Sequence, residues 1–120
     1  MSLCVGIVGK TLIFAATSFS LNWTHSVEKV AWQEDWQITD TGLKLITARV
    51  KGSGAGMEPG EGAVLNKGWW EWQPNLVAQK ELVLAASGAT SSAWQLCTDS
   101  DACINLAEQA SDAIKIWSCP

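Results

Sequence analysis

From Ser18 to Val27 the chain alternates without a break. Phe19, Leu21, Trp23, His25 and Val27 share one face, and Ser18, Ser20, Asn22, Thr24 and Ser26 share the other. A strict period of two over such a length is the signature of a half-buried β-strand. Val30 to Ile38 repeats it, with Val30, Trp32, Glu34, Trp36 and Ile38 inward and Lys29, Gln33, Asp35 and Gln37 outward. Asp40-Thr41-Gly42 reads as a hairpin turn into a third strand, Leu43 to Val50. Before these, Leu3–Val8 and Thr11–Ala16 form short β-type runs joined at Gly9-Lys10. After them come a glycine-rich loop from Gly52 to Gly62 and a hairpin around Asn66-Lys67-Gly68, joining Ala63–Leu65 to Trp69–Gln73. Glu81–Ala86, Trp94–Cys97, Cys103–Leu106 and Ile114–Trp117 complete the strands, and only Asn105–Ala113 has a weak helical pattern. Many short strands at this spacing predict an all-β fold: an antiparallel β-sandwich, or a small, partly open barrel built from hairpins.

Within the strands two polar residues, His25 and Glu34, occupy inward positions. A two-residue turn at Glu28-Lys29 would pair His25 with Trp32 and Trp23 with Glu34. The Asp40-Thr41 turn, continued regularly, would pair Glu34 with Thr47 and Trp32 with Arg49. In that register His25, Glu34 and Arg49 converge among Trp23, Trp32 and Trp36, because diagonal cross-strand neighbours lie within reach of long side chains. Such a cluster has two readings. One is a satisfied polar group that fixes strand register; the other is a ligand site in which Arg49 receives a carboxylate or phosphate and His25 donates beside it.

At 120 residues and 12.9 kDa the chain accommodates one domain, residues 1–120. A hydrophobic fraction of 48% argues against disorder. Eight basic against twelve acidic side chains, with no basic cluster, argue against nucleic acid as a partner. No apolar run reaches the length of a bilayer span, so an integral membrane protein is not expected. With one histidine in the chain, no multi-histidine metal site is available. Ser26 faces away from His25, so no nucleophile and base come together and no enzymatic activity, cofactor or metal is expected.

Several further motifs have simpler readings. Gly52 to Gly62 lacks the GK[ST] of a P-loop and leads into a strand. Trp69-Trp70-Glu71-Trp72 reads as a candidate sugar-stacking platform, with Trp70 on the opposite face from Trp69 and Trp72 and one side in the core. Asp99-Ser100-Asp101 offers too few oxygens for calcium. Asn22-Trp23-Thr24 fits a glycosylation sequon inside a strand.

Cys97 and Cys103 bracket a five-residue polar loop, and Cys4 and Cys119 lie at the two ends of the chain. The pairing Cys97–Cys103 with Cys4–Cys119 suits these positions, although four cysteines allow three pairings. Bridges imply an oxidising compartment, the cell envelope or periplasm. The N-terminus lacks the features of a signal peptide, which leaves a cytoplasmic protein with free thiols as the alternative.

Three stretches together carry a family pattern: Trp23-Thr24-His25-Ser26-Val27-Glu28-Lys29, Glu34-Asp35-Trp36 and Gly52-Ser53-Gly54-Ala55-Gly56-Met57. In these the chain resembles the bacterial family known as domain of unknown function eighteen-fifty, over roughly residues 3 to 119. The motif positions are His25, Ser26, Val27, Glu28, Glu34, Gly54, Ala55 and Gly56. The resemblance implies an uncharacterised protein whose genes neighbour TRAP transporters of the TAXI class, which take up organic anions. It points to a non-enzymatic accessory or binding module, partnered with transporter components or their binding protein. The alternative is a small-molecule domain, for an organic acid or sugar, using the His25/Glu34/Arg49 cluster. A hydrolase is the third and least favoured reading.

Overall fold

The computed structural model describes residues 1–7, 9–24, 30–51, 60–84, 94–106 and 113–120. Eleven strands run in chain order: β1 (Ser2–Ile7), β2 (Lys10–Ala15), β3 (Ser18–Thr24), β4 (Ala31–Thr39), β5 (Gly42–Lys51), β6 (Val64–Asn66), β7 (Trp69–Trp72), β8 (Glu81–Leu84), β9 (Trp94–Thr98), β10 (Cys103–Leu106) and β11 (Ile114–Cys119). They form two antiparallel sheets packed face to face, one of four strands in the order β2-β1-β11-β8 and one of seven in the order β10-β9-β3-β4-β5-β7-β6. The architecture is therefore an open β-sandwich rather than a barrel. The weak helical pattern falls largely on residues 107–112, outside the described residues, and its first two positions, Asn105 and Leu106, belong to β10. No helix among the described residues is long and apolar enough to cross a membrane.

The alternating strands bury what their pattern assigns inward. Phe19, Leu21, Trp36, Ile38, Leu43, Leu45, Leu96 and Leu106 from the larger sheet meet Leu3, Val5, Leu84, Ile114 and Ile116 from the smaller in one core. Trp23 and Trp94 pack against its margin. Trp32, Trp70 and Trp72, although on the same face, are half-buried and fall outside it, because the seven-stranded sheet extends beyond the four-stranded one.

The turns follow their local chemistry. Asp40-Thr41 closes the two-residue hairpin that pairs Thr39 with Gly42. Lys67 and Gly68 have φ of 53° and 87°, the left-handed pair that a tight hairpin requires. Both disulfides form. Cys97 and Cys103 face each other across β9 and β10, with Cα atoms 4.1 Å apart, and Cys4 joins Cys119 at 6.0 Å, tying the first strand to the last.

Three sets of hydrogen bonds hold the sheets in register. Asp99, at the tip of the β9–β10 hairpin, accepts from the Thr17 amide (3.0 Å) and hydroxyl where the chain crosses from β2 to β3. The Ser118 hydroxyl donates to the Thr39 carbonyl at 2.9 Å. Leu43 and Gln79 exchange both main-chain bonds at 2.7 Å where the chain returns toward β8. This last contact dictates Gly42: its φ is +142°, and a Cβ there would overlap the Gln79 carbonyl.

Gly42→Ala should lower Tm by roughly 10 °C, equivalent to about 2–3 kcal/mol, since backbone strain adds to a main-chain clash. Gly9 also has a positive φ (+82°) but nothing within 4 Å of its Cβ position. Gly9→Ala should therefore cost only about 1 kcal/mol. Calorimetric melts of the two variants check the contrast; equal losses would show that the Gln79 contact does not constrain Gly42.

Candidate functional site

The β3–β4 and β4–β5 pairings decide which side chains meet. Trp23 pairs with Trp32 and Leu21 with Glu34, and the last described pair is Thr24 with Ala31. This is two residues displaced from the register that a turn at Glu28-Lys29 would give: the faces are preserved but the partners differ. His25, Ser26, Glu28, Gly54, Ala55 and Gly56 lie outside the described residues. Of the sequence-derived site residues, only Glu34 and Arg49 can be placed.

Those two do not come together. Pairing in β4–β5 is regular from Thr39↔Gly42 to Trp36↔Leu45, then shifts, so that Asp35 faces Thr47, Glu34 faces Ala48, Gln33 faces Arg49 and Trp32 faces Val50. Ile46 is the extra residue of a β-bulge. Because a one-residue shift moves every following side chain to the opposite face, Arg49 leaves the inner face predicted for it. Its Nε donates to Glu71 Oε1 at 2.6 Å and its Nη1 to Asp35 Oδ2 at 2.7 Å. Burial alone would lower the guanidinium pKa, but the hydrogen bonds and charges of Glu71 and Asp35 outweigh it and raise it. The Glu71 carboxyl, bonded to Arg49, is held below its ordinary value. With two carboxylates on one guanidinium, the charge of Arg49 is already met by Glu71 and Asp35. Asp35 and Glu71 are the partners that regular pairing missed. The sequence carries the signal: Leu43 and Leu45 are spaced by two, Ala48 and Val50 are spaced by two, but Leu45 and Ala48 are spaced by three.

The inner face is aromatic. Direct pairing aligns Trp70, Val50, Trp32 and Trp23 across four strands, and Trp72, Ala48, Glu34, Leu21 and Leu96 in the next row. Trp70 and Trp72 therefore share this face, which corrects the grouping of Trp72 with Trp69; Trp69 lies opposite, beneath the Lys51 ammonium at 5.6 Å. The Trp23 and Trp32 rings stack nearly parallel at 6.0 Å, Trp23 meets Trp94 at 4.5 Å, and Trp72 meets Trp32 edge-on at 6.0 Å. Trp72 also lies so close to Gly60 that any Cβ there would collide with the indole. The Trp32 Nε1 is buried and has no hydrogen-bond partner among the described residues.

Glu34 is the one charged side chain on this face among the described residues. Its Oε1 accepts from Trp36 Nε1 at 3.1 Å. Desolvation raises its pKa and the Trp36 bond lowers it, with a net rise. A carboxyl whose folded pKa is raised contributes stability that is full below its unfolded pKa and is lost as pH rises through the folded value. At neutral pH the fold therefore carries the cost of a desolvated carboxylate. The expected His25/Glu34/Arg49 cluster is thus divided: Glu34 is bonded to an indole on the inner face, and Arg49 is paired on the outer one.

Glu34→Gln keeps an acceptor for Trp36 and removes the charge. It should raise Tm by a few degrees at pH 7. The gain should vanish as the pH falls below the ordinary carboxyl value of 4.5. A lower Tm at pH 7 would mean that Glu34 has a cationic partner.

The family model described as Domain of unknown function (DUF1850) matches residues 19–106. These run from Phe19 in β3 to Leu106 in β10, taking in nearly all of the seven-stranded sheet together with β8 and leaving β1, β2 and β11 outside. No curated protein and no solved structure matches the chain. With most of its length covered by that model, indole face and outer Arg49 pairings included, the chain belongs to the DUF1850 family.

Proposed function

We propose that the protein is a non-catalytic binding module of the cell envelope, an accessory of TRAP-type (TAXI-class) organic-anion uptake. Its contact surface for a transporter component or the extracytoplasmic binding protein is the overhanging indole face. The observation that carries this reading is the position of Trp32, Trp70 and Trp72, which lie beyond the shared core on the face of the larger sheet. Large, rigid aromatic side chains of this kind dominate the energetics of protein interfaces. Two disulfides are compatible with an oxidising compartment.

Direct capture of an organic acid by the Arg49 cluster is disfavoured on electrostatic grounds. Arg49 is already paired twice, and among the described residues the only charge beside the indoles is the Glu34 carboxyl. An anion would meet repulsion on the inner face and no free cation at Arg49.

The test is binding to a TAXI-class extracytoplasmic binding protein, measured by biolayer interferometry. Trp70→Ala should weaken it by roughly thirtyfold, as expected for an aromatic hot spot, and Trp69→Ala on the opposite face should leave it unchanged. Dicarboxylic acids alone should not move Tm, since no ligand linkage would operate. Equal affinity of wild type and Trp70→Ala, or stabilisation by the acids alone, would overturn the reading.

A further inference from the structure

On the outer face of the seven-stranded sheet, opposite the indoles, three amide side chains stand side by side. Gln95 pairs with Asn22, and Asn22 pairs with Gln33, so one row crosses β9, β3 and β4. Directly paired positions carry Cβ atoms about 4.5–5.5 Å apart. Asn22 and Gln33 are half-buried and Gln95 is exposed. The row borders a cavity of about 270 Å³ that is also lined by Trp23, Thr24, Ala31 and Trp32 and, among the described residues, by no charged one. The next residue along the row, Arg49, is neutralised by Asp35 and Glu71.

None of the three amides has a hydrogen-bond partner among the described residues, although they are neighbours. Each offers two donor hydrogens and a carbonyl with two lone pairs. An apolar ligand would bury these groups unsatisfied, at a cost in free energy. An ionic ligand would find no charged side chain among the described residues that line the cavity. A hydroxyl both donates and accepts, as a carboxamide does, so neighbouring hydroxyls match a row of amides. An extended peptide also carries donors and acceptors, but it adds to a sheet at an edge strand through main-chain bonds. This row lies across the middle of a sheet face.

We propose that the Gln95-Asn22-Gln33 row is a binding site for a neutral oligosaccharide, held by hydrogen bonds from the amides to its hydroxyl or acetamido groups. The amides lie on the opposite face of the sheet from the indole surface, with Trp23 and Trp32 of that surface also bordering the cavity, and the site stands whether or not that surface binds a protein. It would let an envelope module attach to a glycan while its other face engages a partner.

The test titrates the ¹⁵N-labelled, disulfide-intact protein with chitotetraose and with cellotetraose and follows the side-chain NH₂ resonances. At least one of these sugars should shift the signals of Asn22, Gln33 and Gln95, with a Kd of roughly millimolar order that does not change with ionic strength. The Asn22→Ala, Gln33→Ala double variant should bind about tenfold more weakly or worse, with its Tm kept. Lys44→Ala, at an exposed position of β5, should bind as wild type. The proposal is overturned if neither sugar moves these signals at about ten times that concentration. Unchanged affinity in a folded double variant would also overturn it, as would the same shifts produced by a tetra-alanine peptide or, in a salt-dependent way, by tetragalacturonate.

Discussion

The arrangement of both faces depends on one inserted residue. Without the bulge at Ile46, the alternation that places Leu43 and Leu45 in the core would continue to Thr47 and Arg49, and Ala48 and Val50 would face out. A guanidinium would then have to be desolvated against Trp32, with its charge met by Glu34 alone. Burying an ion pair gains little over an apolar contact. The bulge avoids this. It returns Ala48 and Val50 to the inner face, 3% and 0% exposed, and delivers Arg49 to a side where two carboxylates and solvent receive it. Ile46 itself emerges to the surface, 38% exposed, the side-chain cost of the local kink.

That constraint separates two chemistries. Six of the eight tryptophans, Trp23, Trp32, Trp36, Trp70, Trp72 and Trp94, share the inner face of the larger sheet with one carboxyl, whose second oxygen has no partner among the described residues. The outer face carries amides, hydroxyls and the compensated Arg49. An apolar and aromatic contact and a hydrogen-bonding one can therefore operate from opposite sides of a single layer, with Trp23 and Trp32 bordering both. The smaller sheet braces this layer. It is tied to it at Thr17–Asp99, Thr39–Ser118 and Leu43–Gln79, and closed on itself by Cys4–Cys119.

Much of the fold was legible in the sequence. Period-two alternation locates β3 and β4 because each buries one face only, and the Asp40-Thr41 turn leads into β5. The Asp40-Thr41 and Lys67-Gly68 turns were legible because tight hairpins need particular residues. What failed was register. Alternation fixes which face a residue takes but not its partner, so a β3–β4 pairing displaced by two looked equally good from Trp23 and Glu34. A bulge breaks even the face assignment: regular pairing carried through Leu45-Ile46-Thr47-Ala48 puts Arg49 on the wrong side. The amide row is not legible in the sequence for a plainer reason: outward polar residues are the ordinary solvent face of a strand, and only pairing shows that Asn22, Gln33 and Gln95 are neighbours.

The claim that Arg49 and Glu34 occupy opposite faces is open to a direct energetic test. Two double-mutant cycles, Arg49/Glu34 and Arg49/Asp35, measured by urea unfolding with Ala or Gln replacements, separate the two registers. The account predicts a coupling near zero for Arg49 with Glu34 and one of about 0.5–1 kcal/mol for Arg49 with Asp35, the scale of a partly exposed ion pair. A coupling of about 2 kcal/mol or more between Arg49 and Glu34, with none to Asp35, would place both on the inner face and contradict the bulge.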